Sequence, residues 1–251
     1  MPPPLVTSAD PISGKPARSI GSAGPGGAQV ADEAGPGRTR AKAGKAPAKP
    51  ARPSARNGGG ARRDQEVLDA ATKVFHTRGY ADASVQHIAD ELGILKGSLY
   101  HYIDSKEDLL FRLLDEAHDE VDAVLAEVQA VPDLAPLDRL HLYVTRQVDY
   151  TSRNLAKMAI YYHDVNQLSE GRLKELLRKR RQHEQFVAGL IEEAQARGEV
   201  DASVDSHLAT NYLFGSMIWV YRWYKPGGKL KPAQVSTSCA DFVINGLTGP
   251  R

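Results

Sequence analysis

The segment Ser84-Val-Gln-His-Ile-Ala-Asp-Glu-Leu-Gly-Ile-Leu-Lys-Gly-Ser-Leu-Tyr-His-Tyr102 constrains this chain more than any other. Val85, Ile88, Ala89 and Leu92 recur at helical spacing behind Ser84, a residue suited to cap a helix N-terminus. Gly93, free to adopt positive φ, ends that run. A third short helix is predicted near 95–102, and two short helices joined by a glycine-containing turn form a helix-turn-helix. Ala89 lets the second helix cross the first closely, while Ile88, Leu92, Ile94 and Leu99 supply an apolar wedge that sets the angle. Lys96, Gly97, Ser98, Tyr100 and His101 are then left to meet a DNA major groove. Tyr102, on the Leu99 side, is assigned to the core.

The chemistry of those positions suits the task. Lys96 reaches a phosphate or a guanine edge, Ser98 hydrogen-bonds adaptably, and Tyr100 and His101 donate to phosphate oxygens. Gly97 lets backbone approach the duplex closely. Helix starts at Ser84 and Ser105 aim positive dipole ends at the DNA backbone, with Lys106 reinforcing the second. Arg62 and Arg63 are placed to clasp phosphate from the flank.

From Asp64 onward the apolar pattern is helical, with no alternating strand-like runs and no repeat of fixed period. Helices are expected near 64–78, 84–92 and 95–102, then from a cap at Ser105–Asp108 to about Gln129. Further helices are expected near 137–152, 155–164, 169–196, 205–224 and 232–247. The fold class is therefore all-α, about nine helices. A three-helix DNA-binding domain (63–111) precedes a helical ligand-binding and dimerisation domain (112–251). Residues 1–62, built from Pro, Ala, Gly, Lys, Arg and Ser, lack the large apolar groups that offset ordering entropy, and are expected to be disordered.

Charge is unevenly spread. Residues 1–63 carry 11 Lys/Arg against 3 Asp/Glu, a net +8, which leaves 21 against 28, a net −7, for residues 64–251. DNA binding by the folded part must then rest on local geometry rather than on a broad basic field. The basic tail reads either as a salt-sensitive phosphate arm or as an inert extension from a start site set too early. Cys239 is the only cysteine, which excludes an internal disulfide and a thiolate zinc site, and makes a reducing cytoplasm the expected compartment. No apolar run is long enough to span a membrane and no secretory signal is evident.

Residues 65–111 resemble the DNA-binding domain of TetR-family repressors. The likeness is carried by Gly79-Tyr80, Ser84, Ile88-Ala89, Gly93, Gly97-Ser98-Leu99-Tyr100-His101-Tyr102 and Ser105-Lys106-Glu107 with Leu109-Leu110. Ile103 stands where the family commonly carries Phe, and fills the same packing role. The resemblance implies a homodimer on a palindromic operator, released by a small molecule. The segment Trp219–Leu230 with the helix after it is similar to family members that govern fatty-acid and steroid degradation and respond to acyl-CoA thioesters. An effector of that kind is the expectation; no cofactor is expected. The alternative is a repressor of efflux that answers a drug-like hydrophobic ligand, which a carboxylate facing the ligand tunnel would favour.

For the effector, Arg146, Tyr150, Tyr162, His163, Met217, Trp219 and Arg222 are the candidate contacts, with aromatic walls for an acyl or ring body and arginines for the CoA anion. The Arg178-Lys179-Arg180-Arg181 run offers further cations, although such a run usually forms a solvated face. Leu208, Tyr212, Gly215, Ile218 and Trp219, with Val235, Cys239 and Phe242, offer an apolar surface for a two-fold interface. Catalysis is not expected. No helix-borne histidine pair, nucleophile elbow or phosphate-binding glycine loop is evident, and His118 with Glu120 or His183 with Glu184 lacks metal-ligand spacing.

Overall fold

Helix formation follows the apolar spacing, and several helices stop where the sequence supplies a glycine or proline break. The structure, a computed structural model, describes residues 58–249. The basic tail up to residue 57, and every expectation attached to it, lies outside the described residues. Helix α1 runs Gly58–Arg78. It starts six residues earlier than its apolar stripe suggests, because Arg62 and Arg63 both pair with Glu66 and support an additional exposed turn. Residues 58–62 therefore belong to a helix and not to the tail. Gly79 at φ 76° ends α1, its N–H bonding the Phe75 carbonyl at 2.9 Å.

The next two helices are short. Helix α2 spans Val85–Glu91 and α3 only Lys96–Leu99, with Gly93 at φ 65° between them. The Ser84 side chain accepts from the His87 N–H, and the Ser84 N–H donates to His87 Nδ1, a reciprocal cap. Helix α3 is shorter than the expected 95–102, since Tyr100–Tyr102 form a turn that delivers Ile103 to the core. Val67, Ala71, Val74 and Phe75 of α1 meet Ile88, Ala89, Leu99 and Ile103 in one core. Tyr102 is not part of it: the turn leaves this side chain exposed and uses its carbonyl to accept from Arg112 at 2.9 Å.

Helix α4, Lys106–Ala130, opens with Ser105 accepting from the Asp108 N–H. Its first turns give Leu109, Leu110, Leu113 and Leu114 to the DNA-binding core, and its remainder enters the second bundle. There follow α5 (Pro136–Arg153), α6 (Leu155–Asp164) with one 3₁₀ turn (Val165–Gln167), α7 (Glu170–Ala196), α8 (Ser206–Ile218), α9 (Val220–Trp223) and α10 (Pro232–Thr248). The expected helix 205–224 is thus bent at Trp219, whose carbonyl takes the Arg222 N–H three residues on, a tightened turn. With α8 and α9 counted as that one bent helix, the described residues hold nine helices and no strand. Leu140, Val144 and Val148 of α5 pack with Val187, Leu190 and Ile191 of α7, and α10 lies along α5. Among the described residues no helix is long and apolar enough to cross a membrane.

Candidate DNA and effector sites

The exposed edge of α3 carries Lys96 and Gly97, and the turn after it carries Tyr100 and His101, while Ser98 is half-buried and Leu99 is fully buried beneath them. A Cβ placed on Gly97 meets nothing within 4 Å, and its backbone is ordinary, so nothing inside the chain requires glycine there. Space outside the chain is what a bare backbone at that position provides. Leu95, immediately before α3, is 80% exposed. The wedge pattern had hidden it, because Leu95 sits among apolar neighbours in sequence but turns away from them. An exposed apolar group at the start of the second helix of a helix-turn-helix has the chemistry to meet a thymine methyl.

The flanking cations behave differently from expectation. Lys106 points inward: its Nζ donates to the carbonyls of Tyr80 (2.8 Å), Ala83 (2.9 Å) and, more weakly, Ala81 (3.4 Å). It also lies 4.3 Å from the centre of the Tyr80 ring. All three ammonium hydrogens are committed, so Lys106 ties the α1–α2 loop to α4 and is not placed to clasp phosphate. Arg63 is held by Glu66 at 2.6 Å, and Arg62, with a side chain 84% exposed, shares that carboxylate at 3.3 Å. Ser84 spends its oxygen on the cap and keeps only its hydroxyl hydrogen for a phosphate.

In the second bundle a cavity of about 70 Å³ lies between α4, α5, α6, α7 and α8. Ala117, His118 and Val121 face it from α4, and Tyr143, Gln147, Tyr150 and Thr151 from α5. Met158, Tyr161 and Tyr162 close one side, Arg180 and His183 a second, and Phe214, Met217 and Ile218 a third. Of the expected effector contacts, Tyr150, Tyr162 and Met217 are brought together here. Four are not. Arg146 and Arg222 face solvent, His163 is exposed and engaged with the Tyr221 hydroxyl at 3.2 Å, and Trp219 is 57% exposed on the outer surface. The inward face of α5 is the 143–147–150–151 stripe, one step round the helix from Arg146.

Most polar groups of the lining are satisfied by one another. His118 Nε2 and the Tyr161 hydroxyl lie 3.0 Å apart, the Tyr143 hydroxyl is 3.0 Å from His183 Nδ1, and His183 Nε2 is 2.7 Å from Asp122 Oδ1. The Tyr150 hydroxyl donates to Glu120 at 2.6 Å, and Lys157 joins Glu120 to Glu116. Burial and that bond to Glu120 push the Tyr150 phenol well above its usual range, and burial does the same for Tyr143 and Tyr162. These phenols stay neutral. Arg180, one member of the basic run, does reach the cavity, with its Nε donating to Glu184 at 2.8 Å. No Asp or Glu is among the lining residues. The two buried histidines thus serve hydrogen-bond networks, and Gln147, Thr151 and the His183–Asp122 pair are lining or supporting groups that periodicity alone did not single out.

A chain that carries a helix-turn-helix at one end of a long helix and encloses a chamber beside the other is built as a ligand-sensing DNA-binding regulator. Comparison with known proteins agrees. Residues 67–113 match the family model for bacterial regulatory proteins of the TetR family, and residues 133–247 that for the tetracyclin repressor-like C-terminal domain. The HTH-type transcriptional repressor KstR2 of Rhodococcus jostii (strain RHA1) is 30% identical over 75% of this chain and 92% of its own length. The ketosteroid transcriptional regulator KstR2 of Mycobacterium tuberculosis superposes with a TM-score of 0.70 at 28% identity, over 75% of this chain and 96% of that one. AibR, solved with isovaleryl coenzyme A and operator DNA, gives 0.66 at 26% identity, over 75% and 100%. The chain belongs to the TetR family. It is a DNA-binding transcriptional regulator and not an enzyme.

Proposed function

We propose that this chain is a homodimeric, cytoplasmic repressor released from a palindromic operator by an acyl-CoA thioester of lipid or steroid origin. The observation that carries the effector reading is the cavity: aromatic and aliphatic walls, neutral phenols, an arginine, and no carboxylate. Such a lining accepts an apolar acyl or ring body and an anionic carrier group, and gives a cationic drug no carboxylate to touch directly. The relatives support the same reading: one is a ketosteroid transcriptional regulator, and another was solved with isovaleryl coenzyme A.

Helix α4 supplies a physical route from ligand to DNA. Leu109, Leu110, Leu113 and Leu114 anchor it in the DNA-binding core, and Ala117, His118 and Val121 follow directly as cavity wall. At about 70 Å³ the cavity is smaller than the ~300–1,000 Å³ typical of drug-sized sites, so a bulky ligand must part its walls. Displacing α4 moves Lys106, which holds the loop before α2. The affinity of the two states for DNA and ligand is thereby linked.

The dimer reading rests on the groove of about 300 Å³ between α8 and α10, where Leu208, Tyr212 (69% exposed) and Phe242 (70% exposed) form an apolar face. Two copies related by a two-fold axis can bury that face against itself, which also matches a palindromic site. Differential scanning of the purified chain with isovaleryl-CoA, longer acyl-CoA esters and the matching free acids tests the effector class. A melting shift for the thioesters alone is expected; a shift with a cationic dye and none with any thioester contradicts it.

A further inference from the structure

Among the cavity's buried polar groups, one donor has no partner. Gln147 is only 7% exposed, faces the cavity from α5, and its Nε2 has no hydrogen-bond partner. A buried amide N–H without an acceptor is destabilising and rare in native proteins, so it calls for an explanation, and this one faces the cavity. The neighbouring polar groups are engaged with one another and not with it. Asp122 accepts from His183 Nε2, so that nitrogen carries the hydrogen, Nδ1 accepts, and the Tyr143 hydroxyl donates to it. His118 and Tyr161 satisfy each other.

We propose that Gln147 Nε2 is the donor that reads an sp² oxygen on the buried part of the effector, either a ring ketone or the thioester carbonyl. The class of effector rests on the acyl-thioester reading above. A pure hydrocarbon body leaves the amide unpaired, whereas an oxygen at that point completes it. A site built around a hydrogen bond rejects the analogue that lacks the partner far more strongly than an apolar pocket rejects a change of size. The effector is then selected by an oxygen as well as by shape.

The test is isothermal titration of the full chain and of Gln147→Leu with three probes. These are 3-(4-oxocyclohexyl)propanoyl-CoA, 3-cyclohexylpropanoyl-CoA, and the thioether S-(3-cyclohexylpropyl)-CoA. The wild type is expected to prefer the oxo ester over its deoxy counterpart, or the ester over the thioether, by about tenfold or more. Gln147→Leu is expected to erase that preference by weakening the oxygen-bearing probe only, and the comparison in which this happens identifies the oxygen. If no CoA probe binds, 3-(4-oxocyclohexyl)propanoate against 3-cyclohexylpropanoate makes the same comparison. A preference erased there upholds Gln147 and sinks only the thioester reading. No preference in the wild type, or one that survives in Gln147→Leu, overturns the proposal. The unliganded variant should also melt no lower than wild type, since it loses an unpaired donor; a lower melting temperature means the amide already had a partner, and overturns it too.

Discussion

At the scale of single residues, what a side chain touches separates groups that spacing had pooled. Lys96 and Lys106 both read as phosphate cations, yet Lys96 faces solvent and Lys106 is bound to three carbonyls in the loop before α2. Those acceptors lie 23 to 26 residues upstream, beyond the reach of a local pattern. Gly97 gives a sharper distinction. Gly97→Ala meets no steric obstacle and should stabilise the protein by about 0.5–1 kcal/mol, read by denaturant unfolding. The same change should weaken operator binding by about tenfold, or about 1.4 kcal/mol, because the added methyl stands where the duplex comes close. Equal or tighter DNA binding by the variant removes Gly97 from the interface.

His118 carries a second residue-level consequence. Burial holds it neutral and lowers its pKa from 6.5 to about 4, with Lys179 adding to the shift and Asp122 opposing it. Between those values the unfolded chain binds a proton that the folded chain refuses. Stability therefore falls as the pH drops from 6.5 towards 4, by up to about 3 kcal/mol from this one group. His118→Gln keeps a polar partner for Tyr161 and should flatten the pH dependence of unfolding in that window. If wild type and variant lose stability in parallel, the histidine is not the group responsible.

At the scale of elements, the helices were legible because their signals are local. Ser84, Gly93 and the Ile88–Leu99 wedge each act within a few residues, and the helix-turn-helix follows from them. The sensor half was legible as helices but not as a site. Spacing shows that Arg146 and Tyr150 share a helix face; only packing against α4 and α7 decides that Tyr143, Gln147 and Tyr150 turn inward while Arg146 does not. Trp219 and Arg222 were displaced for a similar reason, since the tightened turn at Trp219 re-aims everything after it. The α8–α10 face is where an element-level prediction belongs. Phe242→Glu, on a side chain 70% exposed, should leave helicity and monomer stability unchanged within about 0.5 kcal/mol. It should convert the dimer to a monomer by light scattering at micromolar concentration, since two like charges would meet across the axis. A variant that remains dimeric places the interface elsewhere.

For the whole molecule, the chain from residue 58 onward, Arg62 and Arg63 included, is still net negative, so its hold on DNA depends on a few placed groups presented twice. One helix, α4, belongs both to the DNA-binding core and to the cavity wall, and the proposed function couples the two sites through it. The most direct test of that coupling is fluorescence anisotropy of the full chain on a DNA site that it selects from a random library, titrated with acyl-CoA thioesters. One discrete palindromic site is expected, with a thioester that lowers the affinity for it by tenfold or more, about 1.4 kcal/mol of coupling. Binding of a thioester by calorimetry with operator affinity unchanged would contradict it.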